Sequence, residues 1–327
     1  MKTGVSYFGV RRPKWVFEDM KEIRSRGFTH VLHTWSEEDE LYYRDTMEEI
    51  IAGTVELGLK VYVNPWGVGR VFGGEAYSEL VARNPSMAQV ASDGTPLVAA
   101  CPNHPAFLTY MHEWIQSVCK TQVETIFWDE PHFHFEKADL NRWACHCKSC
   151  CEGFQERFGY PMPTVLTPDV KVFREDSLMD FLSIMTTEVH RLGKRNSVCL
   201  LPPWFPAGLD RWERVAEMPF VDEIGSDPYW EKTTPPETVQ KNYAEVSLRI
   251  QKLCNAYCKE AQMWIKNYHI VAGREEDIEH TTRIAYEAGV RNIFAWSFRG
   301  SEYLSWLRSD DPPKVWETQC KAFARCK

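Results

Sequence analysis

One unit recurs along the chain, and it limits the fold more than any other feature. A segment with helical spacing of apolar residues ends in glycine or a polar turn. A short apolar run follows, then a loop rich in Trp, Pro and His. EDMKEIRSRG precedes FTHVLHTW, EEIIAGTVELG precedes LKVYVNPWG, TYMHEWIQSVCKTQ precedes VETIFWDEP, MTTEVHRLGKRN precedes SVCLLPPW, and TTRIAYEAGV precedes RNIFAWSFRG. Helices stopped near a Gly and followed by continuous apolar strands are the mark of βα units around a parallel sheet. The pattern predicts eight strands, near Val5–Val10, His30–Thr34, Lys60–Asn64, Glu124–Trp128, Val198–Leu201, Glu223–Ser226, Met263–Lys266 and Asn292–Trp296. A last helix is predicted over about Pro313–Ala324. Eight such units suit a (β/α)8 TIM barrel, which takes ~250 residues plus insertions. The predicted class is therefore α/β, with residues 1–327 as a single catalytic domain and long third and fourth βα loops on the rim. A doubly wound open sheet would usually carry a Gly-rich phosphate loop after its first strand. YFGVRRPKW is not one.

Composition removes several classes of function. The net charge is −8 and no basic run stands out, which argues against nucleic acid as a partner. No apolar run approaches the ~20 residues of a membrane span. The opening MKTGVSYFGVRRPKW lacks the apolar core and cleavage site of a signal peptide, so a cytoplasmic location is expected. The 11 Cys are an odd, scattered set, and a disulfide framework is not expected.

In a barrel the C-terminal ends of the strands carry the chemistry. Read in order, those ends offer Tyr7, His33, Trp35, Asn64, Trp66, Asp129, Glu130, Trp204, Asp227, Tyr229, Lys266, Trp296, Arg299 and Glu302. Aromatic residues make up 13% of the chain, and Trp stands at or just beyond most of these ends. A flat ring presents its face to the C–H side of a sugar, so this placement suggests a carbohydrate cleft. An aromatic rim also suits a subunit contact, so a homo-oligomer is compatible with the sequence.

Glycosidic cleavage needs two carboxyl groups, one to protonate the leaving oxygen and one to attack or to activate water. Asp129 and Glu130 after the fourth strand and Asp227 after the sixth are the best placed. Neighbours on a strand face opposite ways, so Asp129 and Glu130 can share a target only if the chain turns between them; Pro131 favours such a turn. The bland alternative is that each acid caps a helix or binds loop amides. His132 is expected to bond substrate or loop carbonyls, with metal ligation beside His134 as the weaker reading. Lys266 reads as a donor to substrate or a carboxylate partner, or as a Schiff-base lysine. Together Lys266 and Arg299 hint at an anionic sugar such as a uronic acid.

CHCKSC supplies Cys145, Cys147 and Cys150 in a C-x-C-x-x-C spacing that can wrap a tetrahedral zinc ion. Cys101, just before the helix that feeds the fourth strand, is a reasonable fourth ligand. Cys151 or His146 could replace one of the four. A site of four thiolates would be closed and structural. CPNHPAF followed by the carboxylate pair and CHCKSCCEGFQERFGY resembles the zinc-binding region of the family 42 β-galactosidases, over about Cys101–Tyr160. That resemblance implies a (β/α)8 enzyme with zinc held by Cys101, Cys145, Cys147 and Cys150, and it aligns Glu130 with the acid/base. That family has Asn-Glu at the end of strand four and a Glu nucleophile at strand seven. Here strand four ends in Asp129-Glu130 and strand seven reads MWIKNYH, with no acid. FWDE and GSDPYW are similar, more loosely, to retaining α-galactosidase and α-glucosidase barrels, which implies Asp129 as nucleophile and Asp227 as acid/base.

The expected function is a glycosidase for a small oligosaccharide or glycoside. Its catalytic residues come from Asp129, Glu130 and Asp227, with a structural Zn2+ beside the barrel. The alternatives are a carbohydrate-binding barrel without catalysis and a metal-dependent or Schiff-base enzyme of sugar acids.

Overall fold

A computed structural model of the chain describes residues 1–136 and 142–326. All eight predicted barrel strands form. They are β1 (Lys2–Tyr7), β2 (His30–Thr34), β3 (Lys60–Asn64), β6 (Thr125–Asp129), β7 (Arg195–Leu200), β8 (Glu223–Ser226), β9 (Glu260–Lys266) and β10 (Asn292–Trp296), with the short β4 (Ala88–Val90) and β5 (Pro96–Ala100) between β3 and β6. The eight pair in parallel and close as β1-β10-β9-β8-β7-β6-β3-β2. The closed parallel barrel with its surrounding helices is the α/β TIM-barrel class. The predicted first strand is displaced towards the N-terminus, because Gly9 takes a positive φ of 84° and the chain has left the sheet before Val10.

Side chains alternate along each strand, and the alternation divides the core in two. Leu32, Tyr62, Phe127, Cys199, Trp264 and Phe294 pack together inside the barrel, with Phe8 and Trp296 towards the mouth. The opposite parity, including Tyr7, Val31, Val63, Trp128 and Ile265, packs outward against the helices. Helix Pro105–Cys119 shows how a helix joins this layer: Phe107, Met111, Trp114, Ile115 and Val118 are buried at helical spacing. Among the described residues no helix is long and apolar enough to cross a membrane.

The two ends of the barrel are built differently. At the N-terminal end Glu223 is fully buried and accepts from Lys2 Nζ (2.8 Å), Tyr62 OH (2.9 Å), Asn292 Nδ2 (3.1 Å) and Arg195 (3.2 Å). At the C-terminal end the long third loop carries an antiparallel ladder of β4 and β5 that the sequence pattern did not reveal. Runs of three and five residues are too short for a periodicity signal. The loop after β6 is stitched to this insertion. His132 N–H donates to Val71 O (2.9 Å), His134 N–H to Gln89 Oε1 (2.9 Å) and His146 N–H to Val90 O (2.7 Å).

Candidate active site

In β6 the alternation points Thr125, Phe127 and Asp129 inward and Trp128 outward, where its indole N–H donates to Asn196 Oδ1 at 2.9 Å. Glu130 would continue outward. Instead its φ is +44°, a left-handed conformation unusual for a residue with a side chain. The turn swings its carboxylate back to the side of Asp129. Gly73 shows the convergence: a Cβ built there would lie 2.8 Å from Glu130 Oε2 and 3.1 Å from Asp129 Oδ2. The turn needed to unite the two acids therefore comes from Glu130 itself, one residue ahead of Pro131.

Asp227 follows β8 and meets the pair from the far side of β7. It is only 6% exposed, and its Oδ1 has no hydrogen-bond partner among the described residues. Burial, the nearby charge of Glu130 and a side-chain contact with Glu130 push its carboxyl well above the usual range. Asp129 is shifted the same way by burial, then by the charges of Glu130 and Glu75, against a weak 3.4 Å bond from Asn64 Nδ2. Burial and neighbouring charge thus favour the protonated form of both carboxyls. The acids line a cavity of about 100 Å3 walled by Phe127, Trp264, Trp296, Tyr229 and Tyr268.

Glu75 is a fourth carboxylate on this cavity, and it was not among the predicted site residues. It accepts from Trp66 Nε1 at 3.2 Å. Its crowded surroundings and the charge of Glu130 raise its pKa, although water still reaches it. Trp66 lies so close over Gly74 that a Cβ there would fall 1.9 Å from the indole Cδ1, and Gly74 has φ +106°. The Gly73-Gly74 pair before Glu75 was the available signal, since adjacent glycines mark close backbone approach.

The cavity opens into a cleft of about 540 Å3 that shares Gly74, Glu130, Asp227, Tyr229 and Tyr268 with it. His132, Trp204 and Lys266 line this cleft, with Arg70, His134 and Trp230. His132 Nδ1 contacts the Glu130 carbonyl at 2.5 Å, and burial lowers its pKa. Trp204 is 45% exposed and offers a ring at the entrance. Lys266 is 4% exposed, donates to the Trp230 carbonyl, and has its pKa lowered to about 8 by burial.

Other predicted binding residues lie elsewhere. Tyr7 and His33 are register partners on the outward parity, with ring centroids 5.9 Å apart. Tyr7 OH donates to Asp19 Oδ2 (2.6 Å), and His33 Nε2 bonds Thr54 Oγ1 (2.9 Å) on helix Arg44–Glu56. Burial drives the His33 pKa down to about 3, so its ring is neutral. Trp35 is wholly buried and donates to Glu40 Oε2 at 2.9 Å. Reading strand ends without their parity brought these three in. Arg299 is paired with Glu22 and Glu302, and Glu302 lines a separate pocket of about 70 Å3 with Tyr7. Arg299 therefore does not supply the second cation of the proposed anionic cleft.

Cys101, Cys145, Cys147 and Cys150 are buried, and their sulfurs all lie within 4.8 Å of one another. Tetrahedral bonds of ~2.3 Å would place the sulfurs about 3.8 Å apart, so the group fits a metal ion. The neighbouring thiols hold Cys147 far below the usual thiol range. Half-buried Arg174 lies near Cys145 and Cys150, a positive charge suited to a thiolate centre. Cys151 and His146 turn towards each other instead, with Sγ 3.6 Å from Nδ1. Among the described residues no other group of His, Cys, Asp or Glu is close enough to hold an ion, the His132–Asp129 region included.

No protein-family model matches the sequence, and no curated protein matches it. The comparisons do not confirm the resemblance to the family 42 β-galactosidases. Solved structures match the fold. The catalytic domain of a β-amylase from Paenibacillus polymyxa has a TM-score of 0.67 at 10% identity, covering 98% of both chains. An endo-1,4-β-D-mannanase from Thermotoga petrophila RKU-1 gives 0.61 at 12% identity, covering 100% of this chain and 99% of that one. The chain shares the (β/α)8 barrel fold of these glycosidases. A D-psicose 3-epimerase from Clostridium cellulolyticum H10 scores 0.51 at 10% identity over 100% and 98% of the two chains, so the architecture also hosts other sugar chemistry.

Proposed function

We propose that residues 1–327 form one catalytic unit that hydrolyses a small oligosaccharide or glycoside by a two-carboxylate mechanism. The observation that carries this reading is the convergence of Asp129, Glu130 and Asp227 on one cavity at the barrel mouth. A carboxyl held protonated near neutral pH can give its proton to a leaving oxygen. Asp227 fills that role, because its free Oδ1 lies in the buried wall of the cavity. Glu130, half-buried where Asp129 and Asp227 are buried, is the more accessible acid and serves as nucleophile or as base. Its side chain contacts that of Asp227, so a sugar bound between them must part the two. Asp129 sits behind them and its charge state tunes both.

The cleft would hold the sugar against Trp204 and Tyr229, with Trp296 in the wall of the inner cavity. Among the described residues no carboxylate–histidine group is tight enough for an ion, which favours a two-carboxylate mechanism over a metal-dependent one. The four-cysteine group is read as a structural zinc site; a bound ion would supply a fixed crosslink between the loops after β3 and β6 and no catalytic chemistry. The test is a screen of α- and β-nitrophenyl glycosides, uronides included, with wild type, Asp129→Asn, Glu130→Gln and Asp227→Asn. Turnover that disappears in the Glu130 and Asp227 variants supports the mechanism. Sugar binding that survives neutralisation of all three acids, with no turnover in wild type, would identify a binding barrel instead.

A further inference from the structure

The hydrolytic mechanism leaves the chemistry of Lys266 unused. It ends β9, lies in the wall of the 540 Å3 cleft and is 96% buried by its 4% exposure. An ammonium carries three donors. Its hydrogen bond goes to the neutral carbonyl of Trp230. The rings of Trp230 and Tyr268 lie 5.4 and 5.0 Å from Nζ. Among the described residues no carboxylate comes within ion-pair distance of it; the charges that act on it are Glu231, which favours the ammonium, and Lys232 and Arg274, which oppose it. The charged residues on the floor of the barrel show the contrast, since Lys2 there bonds Glu223 and Glu260 directly at 2.8 and 2.7 Å.

A buried cation with donors to spare in a ligand cleft is complementary to an anion that arrives with the ligand. We propose that Lys266 receives the carboxylate of a hexuronic acid unit bound in this cleft. The proposal rests on the glycosidase reading for its sugar, but not on hydrolysis for its test. The charge layout supports the orientation. Glu75, Asp129, Glu130 and Asp227 line the inner cavity, Glu130 and Asp227 also border the outer cleft with Glu231, and Lys266 lines the outer cleft alone. A uronate carboxylate finds a cation at Lys266 and none among the residues of the inner cavity. The ring is thereby turned with its anomeric carbon towards Glu130 and Asp227. Trp230 and Tyr268 flank the ammonium and exclude water from the contact, which strengthens it.

The experiment is calorimetric titration of the full chain with D-glucuronate, D-galacturonate, D-glucose and D-galactose. Wild type, Lys266→Gln and Lys266→Arg are compared, and near-UV circular dichroism verifies the fold of each. Wild type should prefer a hexuronate to its neutral hexose by about 100-fold, the scale of a desolvated charge contact. Lys266→Gln should erase that preference, and Lys266→Arg should restore part of it. Equal binding of hexuronate and hexose by wild type overturns the proposal, as does a preference unchanged in Lys266→Gln. Borohydride trapping of a keto sugar acid on Lys266 also overturns it, in favour of a Schiff base. Hexuronate binding through Lys266 with no glycoside cleaved would sustain the proposal and remove the hydrolase reading. Cleavage of neutral glycosides with no hexuronate bound or cleaved would do the reverse.

Discussion

Asp129 and Asp227 are acids that the fold keeps from ionising, which has a measurable consequence for stability. Their folded-state pKa values are raised, chiefly by burial and then by the charge of Glu130. The folded protein therefore holds protons at a pH where the unfolded chain has released them. Stability from this source is complete at acid pH and is lost as pH rises from about 4, the unfolded value, towards the raised values. The urea midpoint should fall across that window, and the Asp129→Asn/Asp227→Asn double variant should flatten the fall. A slope unchanged in the double variant would show that the two carboxyls ionise normally. The same groups govern activity. Asp227→Asn or Glu130→Gln should each lower kcat by about 100- to 10,000-fold with the thermal midpoint kept, the range expected for loss of an acid–base group. These acids were legible in the sequence because three carboxylates stood at strand ends. Their convergence was not, since it depends on the left-handed turn at Glu130, which no residue type announces. Tyr7, His33 and Trp35 were misplaced because position along a strand was read without its parity.

The loops after β3 and β6 turn separate strands into one site, and two predictions belong to them. A Cβ on Gly73 would press on both carboxylates, and Gly73 has no positive φ that would forbid alanine. Gly73→Ala should therefore fold, push Glu130 and Asp129 apart, and cut kcat by about 10-fold or more, consistent with the sensitivity of catalysis to small misplacement. Unaltered kinetics in a folded Gly73→Ala protein would show that this convergence is not needed. The four cysteines join the same loops from behind: Cys101 follows β5, while Cys145, Cys147 and Cys150 follow β6. Elemental analysis should find one zinc per chain, and Cys147→Ser should lose it. Hydrogen exchange should then quicken in 88–101 and 142–150, with activity falling as the stitched loops loosen. A metal-free wild type with full activity would dismiss the zinc. At this scale the cysteine cluster was readable from spacing alone. The β4–β5 ladder and Glu75 were not, because both depend on how an insertion folds back over the mouth.

Across the whole molecule, one barrel handles buried carboxylates in two opposite ways. Glu223 at the N-terminal end is matched by Lys2, Tyr62, Asn292 and Arg195. Asp227 is the next inward residue but one along the same strand, and it has a carboxylate oxygen with no partner. Strand register accounts for the difference. β8 sits between β7 and β9, so its first residue meets the side chains that close the floor, and its end opens on the cavity. The recurring helix–strand unit announced the barrel, and barrel closure assigned stability to one end and reactivity to the other. Opposite outcomes should follow from removing the two acids. Glu223→Ala leaves Lys2 and the Tyr62 hydroxyl without their shared acceptor and should cost about 3–5 kcal/mol, the scale for breaking a buried pair. The specific activity of the molecules that remain folded should stay near wild type, because Glu223 lies outside the catalytic cavity. Asp227→Asn should do the reverse, with stability kept and turnover lost. Urea unfolding and kcat measured on the same two preparations decide the matter: equal stability losses in both variants would show that the two ends do not divide the work.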